Sequence, residues 1–434
     1  MSQLRLYRHV KFPRDVAKPI SGGSFCDVFD LTPTTVRKSM PADDNEGFGP
    51  GQLKECNFYF RLLQGCQGLL TARLLNVKVR TDVPLATVVE LEMPKMTGDL
   101  WHLSESRRDR LVIVQLLSDL VDDISYALHR LHASGIFHRD VKPGNFLFDR
   151  NASRFYLIDF GSANFECLKT RTGGWCTYAY SAPEAGTERT PAKDSAATDI
   201  YSFGASLISL IVQYGLKVGD HHLDWKKILR ECRWPTSAPV QWKRILERMV
   251  ETDPEARPDL LEVRHAFGLP GVPDQWGHAL VFREFPVVSL PVLDETMNKE
   301  VDDFGVKRKL VYQWIRDVAQ MMNWDKLTYI AAVQVFNDYL MAPGRLKIEK
   351  AGDLQTVACA VMGLAHKCLE DEFLDIPNMA DLGNGSVMPK RLFDTERDVW
   401  RRLEGVVTRR KPCPMMFQGK NWDEIVEYVI NNSV

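Results

Sequence analysis

Paired cysteines, a long apolar run and an excess of one sign of charge are all missing from this chain. Its nine cysteines are scattered over 434 residues. No Cys-x-x-Cys spacing occurs, so neither a zinc site nor a disulfide framework is indicated and a reducing compartment fits best. The longest apolar stretch, Ala205 to Val212, is far too short to cross a bilayer. The opening residues Met1-Ser2-Gln3-Leu4-Arg5 lack an apolar signal core. The expectation is therefore an intracellular chain, in cytoplasm or nucleus, with no membrane contact. Fifty-five lysines and arginines against fifty-seven acidic residues leave a formal charge of −2, so no global field draws it to nucleic acid. The cluster Arg409-Arg410-Lys411 is read as a solvated helix end rather than a docking patch. The remaining composition, 45% hydrophobic and 26% charged, is that of a globular chain long enough for two or three cores.

What is present is a set of spaced signatures. His138-Arg139-Asp140-Val141-Lys142-Pro143-Gly144-Asn145 is followed by Asp159-Phe160-Gly161 and then by Ala182-Pro183-Glu184. Any one of them alone reads as bland surface chemistry; together and in order they resemble the eukaryotic-type protein kinases over roughly the first 268 residues. Phosphoryl transfer needs charge neutralisation, in-line positioning and a place for the hydroxyl proton. The resemblance implies ATP and Mg²⁺ as cofactors. It makes Asp140 the proton acceptor and Lys142 the cation beside the transferring group, a serine/threonine-type sign. Asn145 and Asp159 become the magnesium ligands, hard oxygens for a hard cation. Arg154 to Ile158 reads as a buried strand that delivers Asp159.

Upstream, Ile20-Ser21-Gly22-Gly23-Ser24-Phe25-Cys26-Asp27-Val28 lines up with the family's phosphate-covering glycine loop. Only the middle glycine, Gly23, is matched; Ser21 and Cys26 stand where the outer two belong, and Gly22 partly compensates. Glycines matter there because backbone N–H groups must approach phosphate oxygens closely. In the β-rich run Thr34 to Lys38, alternation puts Val36 and Lys38 on one face and Arg37 on the other. Lys38 is the expected phosphate-pairing lysine, with Val36 against the adenine and Arg37 as the rival. Glu55, on a helical stretch from Gln52 to Leu63, is its expected carboxylate, ahead of Glu46.

Thr87 to Pro94 resembles the strand and hinge that carry the adenine, with Leu91 as gatekeeper and the backbones of Glu92 and Met93 as its hydrogen-bonding partners. Asp99 stands where the family meets the ribose. Glu184 and Arg257 correspond to a buried ion pair, and Asp199 to a tie for the catalytic-loop backbone. Thr177 occupies the place from which a hydroxyl contacts Asp140 and Lys142. Arg139 has an activating phosphate, on Thr170 or Thr172, or a carboxylate as its candidate partner. Nothing in Trp175 to Ser181 demands a particular neighbour of the acceptor hydroxyl.

Kinase-like sequence ends near Phe267, and a connector rich in proline and glycine follows. Helical periodicity then covers roughly 306–322, 327–341, 353–369 and 394–408. Arg308 to Ile315, Ala331 to Leu340, Leu354-Gln355 with Ala365-His366-Lys367, and Glu396 resemble the helices of a cyclin box. Departures are Gln313 and Asn337 in place of aspartates, and room for one box rather than two. An unrelated helical bundle is the competing reading. In cyclins the lysine and glutamate, here Lys367 and Glu396, form the kinase-contacting pair. Pro50 to Glu55 is similar to the start of the cyclin-binding helix of cyclin-dependent kinases, one residue shorter.

The resulting expectation is an α+β chain, a two-lobed kinase fold followed by an all-α cyclin-like domain. Its boundaries are 1–93 for the small lobe, 94–268 for the large lobe, 269–294 for the connector and 295–434 for the helical domain. The expected function is an ATP-dependent serine/threonine protein kinase acting on protein substrates, with an intramolecular contact between box and kinase. A pseudokinase scaffold recruiting cell-cycle partners, and a box acting as substrate adaptor, are the alternatives.

Overall fold

A computed structural model describes residues 19–22, 26–62, 67–100, 107–165, 177–185, 195–212, 223–236, 238–270, 309–348, 351–370, 374–407 and 421–432. The chain divides into two compact units that do not follow chain order. One comprises Met1–Arg61, Arg73–Glu92 and Arg283–Val434, and the other Leu62–Ala72 and Met93–Phe282.

The first unit contains a sheet of strands β1 (Ser21–Gly22), β2 (Asp27–Thr32), β3 (Thr35–Pro41), β4 (Arg73–Val79) and β5 (Thr87–Pro94), in the order β1-β2-β3-β5-β4. The β2–β3 hairpin closes through Thr32, whose Oγ1 accepts the N–H groups of Thr34 and Thr35 at 3.2 and 3.0 Å. That register sets Val28 opposite Lys38 and Asp30 opposite Val36. Helix α1 (Pro50–Arg61) begins at a proline, which needs no N–H partner at that position. It therefore starts two residues before Gln52 and ends before Leu63. Gln52 fastens its first turn: its Oε1 accepts from Gly49 N at 2.9 Å and its Nε2 donates to the Met40 carbonyl at 2.5 Å. Nearly every residue of α1 is buried, polar ones included.

In the second unit β6 (Gly98–Asp99), β8 (Phe146–Asp149) and β9 (Arg154–Leu157) form one small sheet, and β7 (Ile136–Phe137) pairs with β10 (Asn164–Phe165). Strand β9 stops one residue short of Ile158. Helices α2 (Arg107–Ala133), α3 (Ala196–Val212), α4 (Trp225–Glu231), α5 (Val240–Met249) and α6 (Leu260–Ala266) supply its core. Helix α3, which holds the longest apolar run, is buried along most of its length. At Gly204 it approaches α5 so closely that a Cβ would sit 2.6 Å from the Met249 Cβ.

The remaining helices return to the first unit: one over 309–321, then α7 (Lys326–Leu340), α8 (Ala351–Leu369), α9 (Ile376–Asp381), α10 (Pro389–Arg402) and α11 (Trp422–Asn432). The helix expected over 394–408 is displaced. A proline at its first position starts α10 at Pro389, and positive φ at Glu404 and Gly405 stops it after Arg402. Helices α9 and α11 lie outside the expected set. The cue for α9 is Asp375-Ile376-Pro377, an N-cap aspartate followed by proline. The fold is thus α+β: a strand-built small lobe, a mainly helical large lobe and a helical C-terminal region. None of the described helices is long and apolar enough to cross a membrane.

Candidate active site

In the large-lobe unit the chemistry gathers on the loop between β7 and β8. Asp140 Oδ1 accepts from Thr177 Oγ1 at 2.8 Å and from Thr177 N at 3.2 Å. Its Oδ2 faces Lys142 Nζ at 2.7 Å and accepts from Asn145 Nδ2 at 3.1 Å. Lys142 also donates to Thr177 Oγ1 at 2.8 Å. One carboxylate is thereby locked in a single orientation by an ammonium, an amide and a hydroxyl. Asn145 commits its nitrogen to Asp140, so its oxygen is the atom left for a cation.

The loop is held under strain. Arg139 and Asp159 have positive φ values of 68° and 70°, which non-glycine residues adopt only when their surroundings hold them there. For Arg139 the holding group is Asp199 at the start of α3. It accepts from His138 N and Arg139 N at 2.9 Å each, and its Oδ2 lies 2.9 Å from His132 Nε2. Complete burial works to raise the Asp199 carboxyl, but the His132 hydrogen bond and charge, with His138, hold it below its ordinary value. His138 adds a second tie: Nε2 donates to the Ile158 carbonyl at 3.0 Å, and Nδ1 accepts from Asp140 N at 3.3 Å. Ile158 N in turn donates to the Asn145 carbonyl at 3.1 Å, which brings the Asp159 backbone alongside Asn145.

Below the loop, Arg257 forms a two-pronged ion pair with Glu184, with Nη2 to Oε2 at 2.7 Å, and also donates to the carbonyls of Ala197, Glu251 and Thr252. Its guanidinium lies 4.9 Å from the Tyr201 ring centre. Burial pushes the Tyr201 hydroxyl up to about 12 despite that cation.

In the small-lobe unit Lys38 Nζ donates to both oxygens of Glu55 at 2.8 Å, and both residues are buried. Arg37 turns to the other face, 3.4 Å from Glu90, which also accepts from Lys78 at 2.9 Å. Strand alternation therefore separates the two cations, and the rival lysine partner Glu46 goes elsewhere. Glu46 Oε2 caps Asp43 N at 2.9 Å, while its backbone carbonyl accepts from Lys367 Nζ at 2.5 Å. Val28 and Val36 lie on β2 and β3, half-buried. Of the loop residues, Ile20 is exposed and Ser21 and Gly22 form β1, whereas Gly23, Ser24 and Phe25 lie outside the described residues. Cys26 is half-buried just before β2. Leu91, Glu92 and Met93 lie on β5, Glu92 paired with Arg73, and Asp99 on β6 pairs with Leu147. Thr170, Thr172, Arg308 and the Arg409 to Lys411 cluster lie outside the described residues.

The same unit shows a second buried cluster. Lys367 on α8 donates to both oxygens of Glu396 on α10 at 2.8 Å. Glu396 Oε1 also accepts from Phe48 N at 3.1 Å, and Ile376 N donates to the Asn45 carbonyl at 2.7 Å. Phe48 meets Trp400 with ring centres 4.8 Å apart. Burial raises the Glu46 and Cys56 side chains above their ordinary values.

The sequence reading names His138 only as the start of its signature, without a role, and gives no place to His132 or to the carbonyls of Asn45 and Glu46. His132 is the next-to-last residue of α2, with a buried aspartate as partner; no local pattern announces that. A histidine directly before Arg-Asp was a signal available for His138.

Fit to Mg²⁺ is decided by the donor set. Among the described residues no cluster of three or more His, Cys, Asp or Glu is placed to hold a metal. One carboxylate and one amide oxygen, the donors that Asp159 and Asn145 would offer, make a set that magnesium accepts when substrate phosphates complete its shell.

Comparison with known proteins agrees with this geometry. A family model for the protein kinase domain matches residues 84–267, and one for the cyclin N-terminal domain matches 291–408. The chain therefore carries a protein kinase domain followed by a cyclin-type domain. It is similar to CBL-interacting serine/threonine-protein kinase 19 of Arabidopsis thaliana, at 32% identity over 176 residues, covering 38% of this chain and 35% of that protein. SNF-related serine/threonine-protein kinase of Homo sapiens is 32% identical over 160 residues, covering 36% and 20%. 3-phosphoinositide-dependent protein kinase B of Dictyostelium discoideum is 30% identical over 151 residues, covering 33% and 16%. The chain thus spans about a third or less of the length of these relatives.

Proposed function

We propose that this chain is an ATP-dependent serine/threonine protein kinase, with its own cyclin-type domain as the activator. The observation that carries the catalytic reading is the fixed orientation of Asp140 by Lys142, Thr177 and Asn145. A substrate hydroxyl oxygen bonds to the γ-phosphorus of ATP as the bond to the β–γ bridging oxygen breaks, and ADP leaves. Asp140 orients that hydroxyl and takes its proton; Lys142 offsets charge on the transferring group. Magnesium, when held by Asn145 and Asp159, supplies neutralisation of phosphate charge. Lys38, oriented by Glu55, is the group for the remaining phosphates, with the stretch from Ile20 to Val28 as the phosphate-covering segment. The backbones of Glu92 and Met93, with Val36 and Asp99, hold the nucleoside.

The activator role is supported by the Lys367 contact to the Glu46 carbonyl and by the Glu396 contact to Phe48 N, just before α1. Helix α1 carries Glu55, so a group that fixes its entry holds Glu55 toward Lys38. Tethering on one chain gives an effective concentration on the order of mM where the linker spans. Substrates are proteins bearing Ser or Thr hydroxyls.

The test is transfer of labelled γ-phosphate to a protein substrate and to the chain itself, comparing wild type with Asp140→Asn and Asp159→Ala. Transfer undiminished in both variants would overturn the catalytic reading. Deleting everything after Leu290 tests the activator role separately: full activity in the shortened chain would remove it.

A further inference from the structure

Gln52 stands on the first turn of α1, three residues before Glu55, and is only 4% exposed. Its amide uses every hydrogen-bonding position it has. Oε1 accepts from Gly49 N at 2.9 Å and from Thr87 Oγ1 at 3.2 Å. Nε2 donates to the Met40 carbonyl at 2.5 Å and to the Thr87 carbonyl at 3.3 Å. The bond to Gly49 alone is an ordinary helix cap, which glutamine at the third helical position supplies. Capping does not account for the other three.

Those three reach two strands. Met40 lies two residues past Lys38 on β3, and Thr87 is the first residue of β5. A second tie runs beside the first. Thr87 N and Oγ1 both donate to the Gly47 carbonyl, at 2.9 and 2.8 Å, and Gly47 N donates to the Leu85 carbonyl at 2.7 Å. A buried amide adds little net stability, because its bonds to water are exchanged for bonds to protein. Four bonds in four directions instead fix distance and orientation. An aliphatic side chain would fill the same volume without setting either.

We propose that Gln52 is a positioning residue for phosphoryl transfer: it sets the spacing of β3 and α1 so that Lys38 meets Glu55. The proposal rests on the catalytic reading above. It adds a hold on α1 that lies wholly within the small lobe. Lys367 and Glu396 grip the chain ahead of the helix, at the Glu46 carbonyl and Phe48 N, whereas Gln52 grips the helix itself. Strand β5 also carries Glu92 and Met93, so one side chain joins three parts of the nucleotide site.

The experiment uses the full chain with Gln52→Met, which keeps the length and removes the amide, and Gln52→Asn, which keeps the amide and shortens its reach. Acylation of Lys38 by acetic anhydride is followed by mass spectrometry, with the exposed Lys390 as internal reference. Lys38 is 7% exposed and should label slowly in the wild type. In either variant it should label at least about tenfold faster, as the pair with Glu55 opens more often. Affinity and kcat/KM for ATP should fall about 10- to 100-fold, the usual effect of a displaced positioning group. Affinity for adenosine, which has no phosphate, should be unchanged, whereas a merely structural role would lower both. A thermal melt checks that each variant is folded at the assay temperature, and Gln52→Asn carries the test if Gln52→Met is not. Labelling is read without turnover, so a wild type that transfers no phosphate would remove the catalytic reading and leave this test standing. Lys38 labelling at the wild-type rate in the variants, or equal losses of ATP and adenosine affinity, would overturn the proposal.

Discussion

The Lys367 ammonium reaches both oxygens of Glu396 at 2.8 Å and the Glu46 carbonyl at 2.5 Å, with each of the two side chains only 1% exposed. Water is excluded from the pair. Its attraction is strong, and so is the cost of separating it.

Removing one partner is therefore the informative change. Lys367→Met should strand the Glu396 carboxylate and cost about 3–5 kcal/mol, read as a lowered urea midpoint. Adding Glu396→Leu should recover a substantial part of that loss, because an apolar pair replaces a desolvated charge. Phosphotransfer should remain impaired in the double variant, since the contact to the Glu46 carbonyl is gone. A double variant less stable than the single one would contradict this account.

Gly47 is a steric constraint on the same cluster. Its φ is +71°, and a Cβ there would sit 2.5 Å from Glu396 Oε1 and 3.0 Å from the Ile376 Cδ1. Gly47→Ala should cost about 1–3 kcal/mol through strain and displacement. Hydrogen exchange should report it locally, with faster exchange at Phe48 N–H, the donor to Glu396.

Lys38 and Glu55 test the small-lobe half of the site. Glu55→Gln keeps the shape of the side chain and removes its charge, leaving the buried Lys38 with one neutral acceptor. A charge-assisted bond of about 1.5–3 kcal/mol is lost, so kcat/KM for ATP should fall roughly 10- to 150-fold. Circular dichroism should be unchanged. Wild-type kinetics in this variant would show that the pair has no catalytic role.

Asp199 carries a pH signature. Its carboxyl is held below 3.8 in the folded chain, chiefly by His132 against the opposing effect of burial. A depressed native value stabilises the fold above the unfolded value, and that stabilisation is lost as pH falls through the native one. The deficit in urea midpoint caused by Asp199→Asn should therefore narrow as pH falls below 3.8. A gap that widens with acid would refute this sign.

Short-range features were the most legible. Asp140, Lys142 and Asn145 are within five residues, and a loop that short leaves them few ways to avoid one another. Alternation on β3 separated Arg37 from Lys38 for the same local reason, since successive strand side chains face opposite ways. Helix ends were less legible. The start of α10 at Pro389 followed from a proline that the apolar periodicity did not count, and α9 is too short to show a period.

Backbone groups were not legible at all. Any residue presents a carbonyl, so nothing in Asn45 or Glu46 marked them as acceptors for Ile376 N and Lys367 Nζ. The sequence by itself determined which chemical groups the chain owns and which lie within a few residues of each other, because bond geometry limits short loops. Only the tertiary structure decided that Glu46, 321 positions before Lys367, meets it through its backbone. It also decided that His132 supports Asp199 across 67 positions. Those pairings depend on how helices and strands stack to bury their apolar faces, and that stacking is a property of the whole fold.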